Sequence, residues 1–200
     1  MVTHSKFEPG LAGAARRLPT HCKTFLGEPQ LQMVVRTHRR LEQSGFYWGP
    51  ISGKEANRLL AKQPTGTFLL RDSSDAHHFF TLSVKTESGT KNLRIKSDAR
   101  TFRLESEPSG PHPVPQFDCV LKLVHHYMPQ THPNSGRPSS YIYSDGEKIP
   151  LSLLHPLRTE LTSLKHLCRR TVNGHQGACA ERNQLPLTLQ EFLQEYDLPI

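Results

Sequence analysis

Long hydrophobic runs are missing from this sequence, and with them any stretch approaching the ~20 apolar residues needed to cross a bilayer. Met1 to Leu11 also lacks the continuous apolar core of a secretory signal, so an intracellular location is expected. Cysteine is scarce. Cys22, Cys119, Cys168 and Cys179 form no CxxC pair and no regular framework, which predicts reduced thiols rather than disulfides or a zinc site. Catalytic constellations are missing too. No Gly-x-Ser-x-Gly elbow occurs, and Gly49-Pro50-Ile51-Ser52-Gly53-Lys54-Glu55 falls one residue short of a nucleotide phosphate loop, with Glu55 where a magnesium-holding hydroxyl is required. The pairs His77-His78 and His125-His126 lack the i, i+4 spacing of metal ligands on a helix. Cys168 falls on the apolar side of a helix, where a cysteine acts as a small hydrophobe rather than a nucleophile. These absences predict a protein that is not an enzyme, with no catalytic residue, metal or cofactor.

Hydrophobic residues make up only 35% of the 200, enough for one moderate core and a small appendage, with some segments left exposed or dependent on a partner. The net charge of +7 invites acidic partners. The basic residues are scattered over many segments rather than gathered in one stripe, which argues against nucleic acid.

The most informative residues present are Phe68-Leu69-Leu70-Arg71-Asp72-Ser73. Period-two alternation sends Leu69, Arg71 and Ser73 to one face of a strand and Phe68 and Leu70 to the other. An arginine taken out of water needs a partner, and its planar fork suits a phosphate or carboxylate. Phe79 to Lys85 reads as the return arm of a hairpin, bringing Thr81 across from Arg71. A third strand, Thr90 to Lys96, carries Asn92, Arg94 and Lys96 on one face. Upstream, Ser52-Gly53-Lys54-Glu55 is a capping box opening a helix through Leu60, which puts Lys54 near the positive end of that helix. Phe117, Val120, Leu121, Val124, His125 and Met128 fall at helical spacing between Pro115 and Pro129.

In order and spacing, Gly45-Phe46-Tyr47-Trp48, Glu55 to Leu60, Gly66 to Ser73 and Phe79 to Val84 resemble a Src homology 2 (SH2) domain. The resemblance spans residues 45–143 and implies an α+β fold, a central antiparallel sheet flanked by two helices, that binds phosphotyrosine. By that resemblance Arg71 grips the phosphate, Ser73, Ser74, Thr81 and Arg94 match pocket positions, and Lys54 stands where arginine is common.

Both ends of the chain add to this. Leu161, Leu164, Leu167, Cys168 and Val172 form one apolar stripe, with Lys165, Arg169 and Arg170 outside it. A second capping box, Thr188-Leu189-Gln190-Glu191, opens a helix whose stripe is Leu189, Phe192, Leu193 and Tyr196. Such short helices bury little by themselves, so either a partner or the preceding domain covers them. Ser163-Leu164-x-x-Leu167-Cys168-x-x-x-Val172 resembles the elongin-binding helix of a suppressor-of-cytokine-signalling (SOCS) box. The resemblance implies that elongin C, joined by elongin B, takes Leu164, Leu167, Cys168 and Val172. Leu185, Pro186 and Leu187 would contact cullin-5, with Thr188 in place of the family's second proline.

Residues 1–29 show no sustained period and are expected to be mostly disordered. Leu31, Val34, Val35, His38 and Leu41 trace a helix over 30–44 leading into Gly45. Cys22, Lys23, Thr24 and Phe25, within a segment of about residues 21–31, resemble the family's kinase inhibitory region, in which Phe25 would occupy a Janus kinase groove as a pseudosubstrate. The family often has leucine where Cys22 stands, and a smaller side chain there forfeits roughly 1 to 2 kcal/mol of burial. A long Pro/Ser-rich insertion that one family member commonly carries between the positions of Met128 and Tyr141 is short here.

The chain is thus identified as a member of the suppressor of cytokine signalling family, with 144–159 as a linker and 160–200 as the SOCS box. The resemblance implies a cytoplasmic feedback inhibitor of Janus kinase–STAT signalling, recruited to the inner face of the plasma membrane by tyrosine-phosphorylated receptor tails, those of interleukin-6-family subunits among them. The alternative is a phosphotyrosine adaptor and ligase substrate receptor without direct kinase inhibition.

Overall fold

The structure, a computed structural model, describes residues 23–105, 114–129, 141–144, 147–175 and 184–200. Its centre is a five-stranded sheet in the order β4-β3-β2-β1-β7. The strands are β1 (Thr67–Asp72), β2 (Phe80–Thr86), β3 (Gly89–Ser97), β4 (Phe102–Leu104) and β7 (His155–Pro156). Neighbours are antiparallel except for β7, which runs parallel to β1. A separate hairpin pairs β5 (Tyr141–Ser144) with β6 (Glu147–Pro150).

Strand register sorts the side chains. Phe68 and Leu70 pair with Val84 and Leu82, and Phe80 and Leu82 pair with Ile95 and Leu93, so one face of the sheet is continuous hydrocarbon. The helices α1 (Glu28–Ser44) and α3 (Val120–Tyr127) cover that face with Met33, Val34, Leu41, Val120, Leu121, Leu123 and Val124. The stripe of α1 is turned slightly from expectation: Met33 and Thr37 are buried with Val34 and Leu41, while Val35 points to solvent. On the opposite face, α2 (Gly53–Leu60) seats Ala56 and Leu60 against Leu69. Its start is fixed by the expected reciprocal cap, with Ser52 Oγ accepting from the Glu55 amide and the Glu55 carboxylate accepting from the Ser52 amide. Helices on both sides leave every residue of β1 buried.

Residues 144–159, expected as a linker, instead hold β6 and β7 and send Leu151 and Leu153 into the core. Backbone polar groups drive this closure: the amides of Leu154 and His155 donate to the Gly66 carbonyl, and Leu157 donates to Phe68. Gly66 turns with a φ of 86°, and a Cβ there would meet Leu154 Cγ and Cδ1 at 2.7 Å. Gly66→Ala is therefore expected to cost about 2 kcal/mol or more, read as a lowered melting temperature.

The C-terminal helices are α4 (Leu164–Gly174) and α5 (Leu187–Glu195). Ser163 caps α4 by accepting from the His166 amide. The capping box expected at Thr188 is not formed: α5 begins at Leu187 with Pro186 as its N-cap, and the Pro186 carbonyl takes the Leu189 and Gln190 amides. Thr188 is thereby already inside the first turn. Arg169, expected outside the stripe of α4, is buried at 3% exposure. Its guanidinium lies 4.6 and 4.9 Å from the Phe192 and Tyr196 rings and donates to Gln43 of α1 at 2.6 Å. Tyr196, Leu198 and Ile200 join the main core, so the preceding domain covers part of the appendage. Among the described residues no helix is long and apolar enough to cross a membrane.

Candidate functional site

Arg71 lies at 5% exposure on the α2 side of β1. Its Nε donates to Ser83 Oγ at 3.2 Å, Nη1 to the Asp72 carbonyl at 3.0 Å and Nη2 to Asn92 Oδ1 at 3.2 Å. Burial draws its pKa down, but a guanidinium remains charged at any physiological pH. All three acceptors are neutral. The adjacent carboxylate is turned elsewhere, since Tyr47 Oη donates to Asp72 Oδ1, and burial together with Asp72 holds the Tyr47 phenol far above its ordinary pKa. The Asp72 charge partly opposes the burial shift, but each of the three hydrogen-bond acceptors on the guanidinium is neutral, which leaves it poised for an anion. Gly53, the first residue of α2, lies so close that a Cβ there would stand 3.3 Å from Arg71 Nη2.

The other expected pocket residues divide by depth. Thr81 is buried and pairs across the sheet with Arg71 on one side and Arg94 on the other. Ser73 is buried, its Oγ accepting from the Asp75 amide at 3.2 Å, and Ser74 beside it is exposed. Arg94 is largely exposed, with its guanidinium held by Asp75 at 3.4 Å and Glu105 at 3.5 Å. Lys54 is exposed on the first turn of α2. The structure therefore brings Arg71, Ser73 and Thr81 together and leaves Arg94 and Lys54 at the rim. Ser83, Asn92 and Asn57 escaped notice as site residues. Ser83 Oγ donates to Asn92 Oδ1 at 2.7 Å and Asn92 Nδ2 donates to Asn57 Oδ1 at 3.1 Å, which ties Arg71 to α2. Period-two spacing from Thr81 and Arg94 puts Ser83 and Asn92 on that same face.

Of the N-terminal residues, Cys22 lies outside the described residues, and Thr24 is exposed. Phe25 is 37% exposed and stacks on Phe79 with ring centroids 5.0 Å apart. On α4 the apolar stripe faces solvent: Leu164 is 76% exposed, Leu167 and Cys168 are exposed, and Val172 is half-buried. Leu185 is half-buried, with Pro186 and Leu187 exposed.

Residues 46–127 match the SH2 domain family. Over the whole chain the similarity is wider: 54% identity to Suppressor of cytokine signaling 3 of Gallus gallus, covering 100% of both chains. The chain belongs to the suppressor of cytokine signalling family. Suppressor of cytokine signaling 3 of Homo sapiens is 50% identical, again over 100% of both chains. Suppressor of cytokine signaling 2 of Homo sapiens is 37% identical over 86% of this chain and 85% of its own. The α+β sheet with α3 on one face and α2 on the other is the family's SH2 fold, and α1 precedes the matched residues and packs beside α3.

Proposed function

We propose that this chain is a non-enzymatic suppressor of cytokine signalling that docks on a phosphotyrosine through Arg71, restrains the attached Janus kinase through Phe25, and offers α4 and α5 to an elongin–cullin ubiquitin ligase. The observation that carries the docking step is the buried Arg71, whose three acceptors are all uncharged. Ser73, Ser74 and Thr81 supply hydroxyls around it, and Arg94 and Lys54 add charge at the rim. The ligase step is supported by Leu164, Leu167 and Cys168, which stand exposed side by side on one face of α4. The Leu185-Pro186-Leu187 segment then meets cullin-5, and elongin B joins elongin C. Docking on a receptor tail, an interleukin-6-family subunit among the candidates, raises the local concentration of the other two activities at the cytoplasmic face of the membrane.

A second reading, an adaptor without direct kinase inhibition, draws support from Phe25 resting on Phe79 of its own domain rather than standing free. The two readings part in one assay. A purified Janus kinase domain phosphorylates a model substrate, without receptor or ubiquitin components, as the protein or Phe25→Ala is titrated in. Inhibition by the parent, with a half-inhibitory concentration raised roughly 30-fold in the variant, is expected of a buried aromatic anchor. No inhibition by either protein would leave the adaptor reading standing.

A further inference from the structure

Lys23 belongs by resemblance to the kinase-facing segment, yet its side chain is committed elsewhere. Its ammonium donates to the carbonyls of Ser73 at 3.0 Å, Phe79 at 3.3 Å and His78. An ammonium has three N–H donors, and this one has a carbonyl for each. The three carbonyls come from the two ends of one loop, residues 73–79, between β1 and β2. The Ser73 amide, which donates to the Phe79 carbonyl at 3.0 Å, is the backbone bond closing the same loop. Lys23 also lies 5.9 Å from the centre of the Phe79 ring. Burial lowers the pKa of its ammonium, while Asp72 and Asp75 oppose that shift.

That loop is tied internally by Asp75, which accepts from the His77 and His78 amides, and Lys23 joins its two ends from outside. The loop carries Ser73 and Ser74, two and three residues after Arg71, and Asp75, which engages Arg94 across the rim. A loop ordered before its ligand arrives spares the complex the entropy of ordering it afterwards. The staple also adds a positive charge to the loop that must face an anion.

We infer that Lys23 is a positioning residue of the phosphate pocket: caged by the carbonyls of Ser73, His78 and Phe79, it holds the 73–79 loop in its phosphate-gripping shape. The N-terminal segment then serves phosphotyrosine recognition as well as kinase contact. This inference rests on Arg71 marking the phosphotyrosine site.

The test compares the full chain with Lys23→Met, Leu26→Ala and Arg71→Lys by titration calorimetry and dissociation kinetics. The probes are a phosphotyrosine peptide from an interleukin-6-family receptor subunit and its unphosphorylated form. Lys23→Met is expected to weaken the phosphorylated peptide roughly tenfold, mainly through faster dissociation, as loss of preorganisation does. Leu26→Ala, which removes a 75% exposed side chain from the same segment, should stay within about twofold of the parent. Hydrogen exchange separates a local from a global effect: the 74–79 amides should exchange faster in Lys23→Met while those of α3 do not change. Parent-like affinity in Lys23→Met, with binding lost in Arg71→Lys, overturns the staple and leaves the pocket intact. Faster exchange across α3 as well also overturns it, since the lysine would then support only the fold. Undiminished binding by Arg71→Lys refutes the pocket assignment itself, and the staple with it.

Discussion

Arg71→Lys is expected to weaken binding of a phosphotyrosine peptide by about 2 to 4 kcal/mol, or roughly 30- to 1,000-fold. Lysine keeps the charge and loses the fork. In the parent, Nε and Nη1 are steadied by Ser83 and the Asp72 carbonyl, which fixes the guanidinium plane, and Nη2 contacts Asn92 at the open side. A lysine ammonium is a point donor on a flexible stem and cannot satisfy those acceptors and a phosphate at once. The variant thus strands buried acceptors as well as losing the bidentate contact. Calorimetry against the phosphorylated and plain peptides measures both losses, and the expected signature is a collapse of the difference between them. Equal binding of both forms by the parent would contradict phosphate recognition at this site. The substitution should barely touch the proposed elongin surface, because α4 meets the domain through Arg169 and Gln43 of α1, on the far side of the sheet from Arg71.

Paired substitution of Leu164 and Cys168 by aspartate is expected to abolish co-purification of elongin B and C while leaving the melting temperature within a few degrees. The two effects separate because both side chains are exposed in the free chain, so their removal opens no cavity. Leu164 is the first residue of α4, where an aspartate suits the positive end of the helix. What the pair destroys is apolar surface available to a partner, and a buried leucine anchor is commonly worth about 2 kcal/mol or more. Two uncompensated carboxylates in the same contact add a desolvation cost. Retained elongin would remove the ligase arm of the proposed function. A lost fold would show instead that the stripe packs internally, against its present exposure.

Much of the fold could be read from spacing. The alternation through Arg71, Thr81 and Arg94 placed one polar face across three strands, and the cap at Ser52 and Glu55 is formed as expected. Local rules succeed there because a strand's period and a helix's first turn depend on residues a few positions apart. The failures have the opposite character. The pairing of β7 with β1 joins Phe68 to Pro156, and two residues of strand in a proline-containing segment carry no periodic signal. At Thr188 a formally good capping box lost to Pro186, which had already turned the chain into the helix.

By itself, the sequence singled out an arginine in an apolar strand, hydroxyls at the same face, and two apolar stripes at the C-terminal end. Composition and periodicity record what each residue must avoid or seek in water, and that information is local. Only the tertiary structure decided what those residues meet. It turned His166 and Arg169 of α4 inward, Arg169 against Gln43, Phe192 and Tyr196, and left Leu164 and Leu167 outside. It also spent the Lys23 ammonium on carbonyls from residues 50 to 56 positions away, a match made by three-dimensional proximity and invisible to any pattern along the chain.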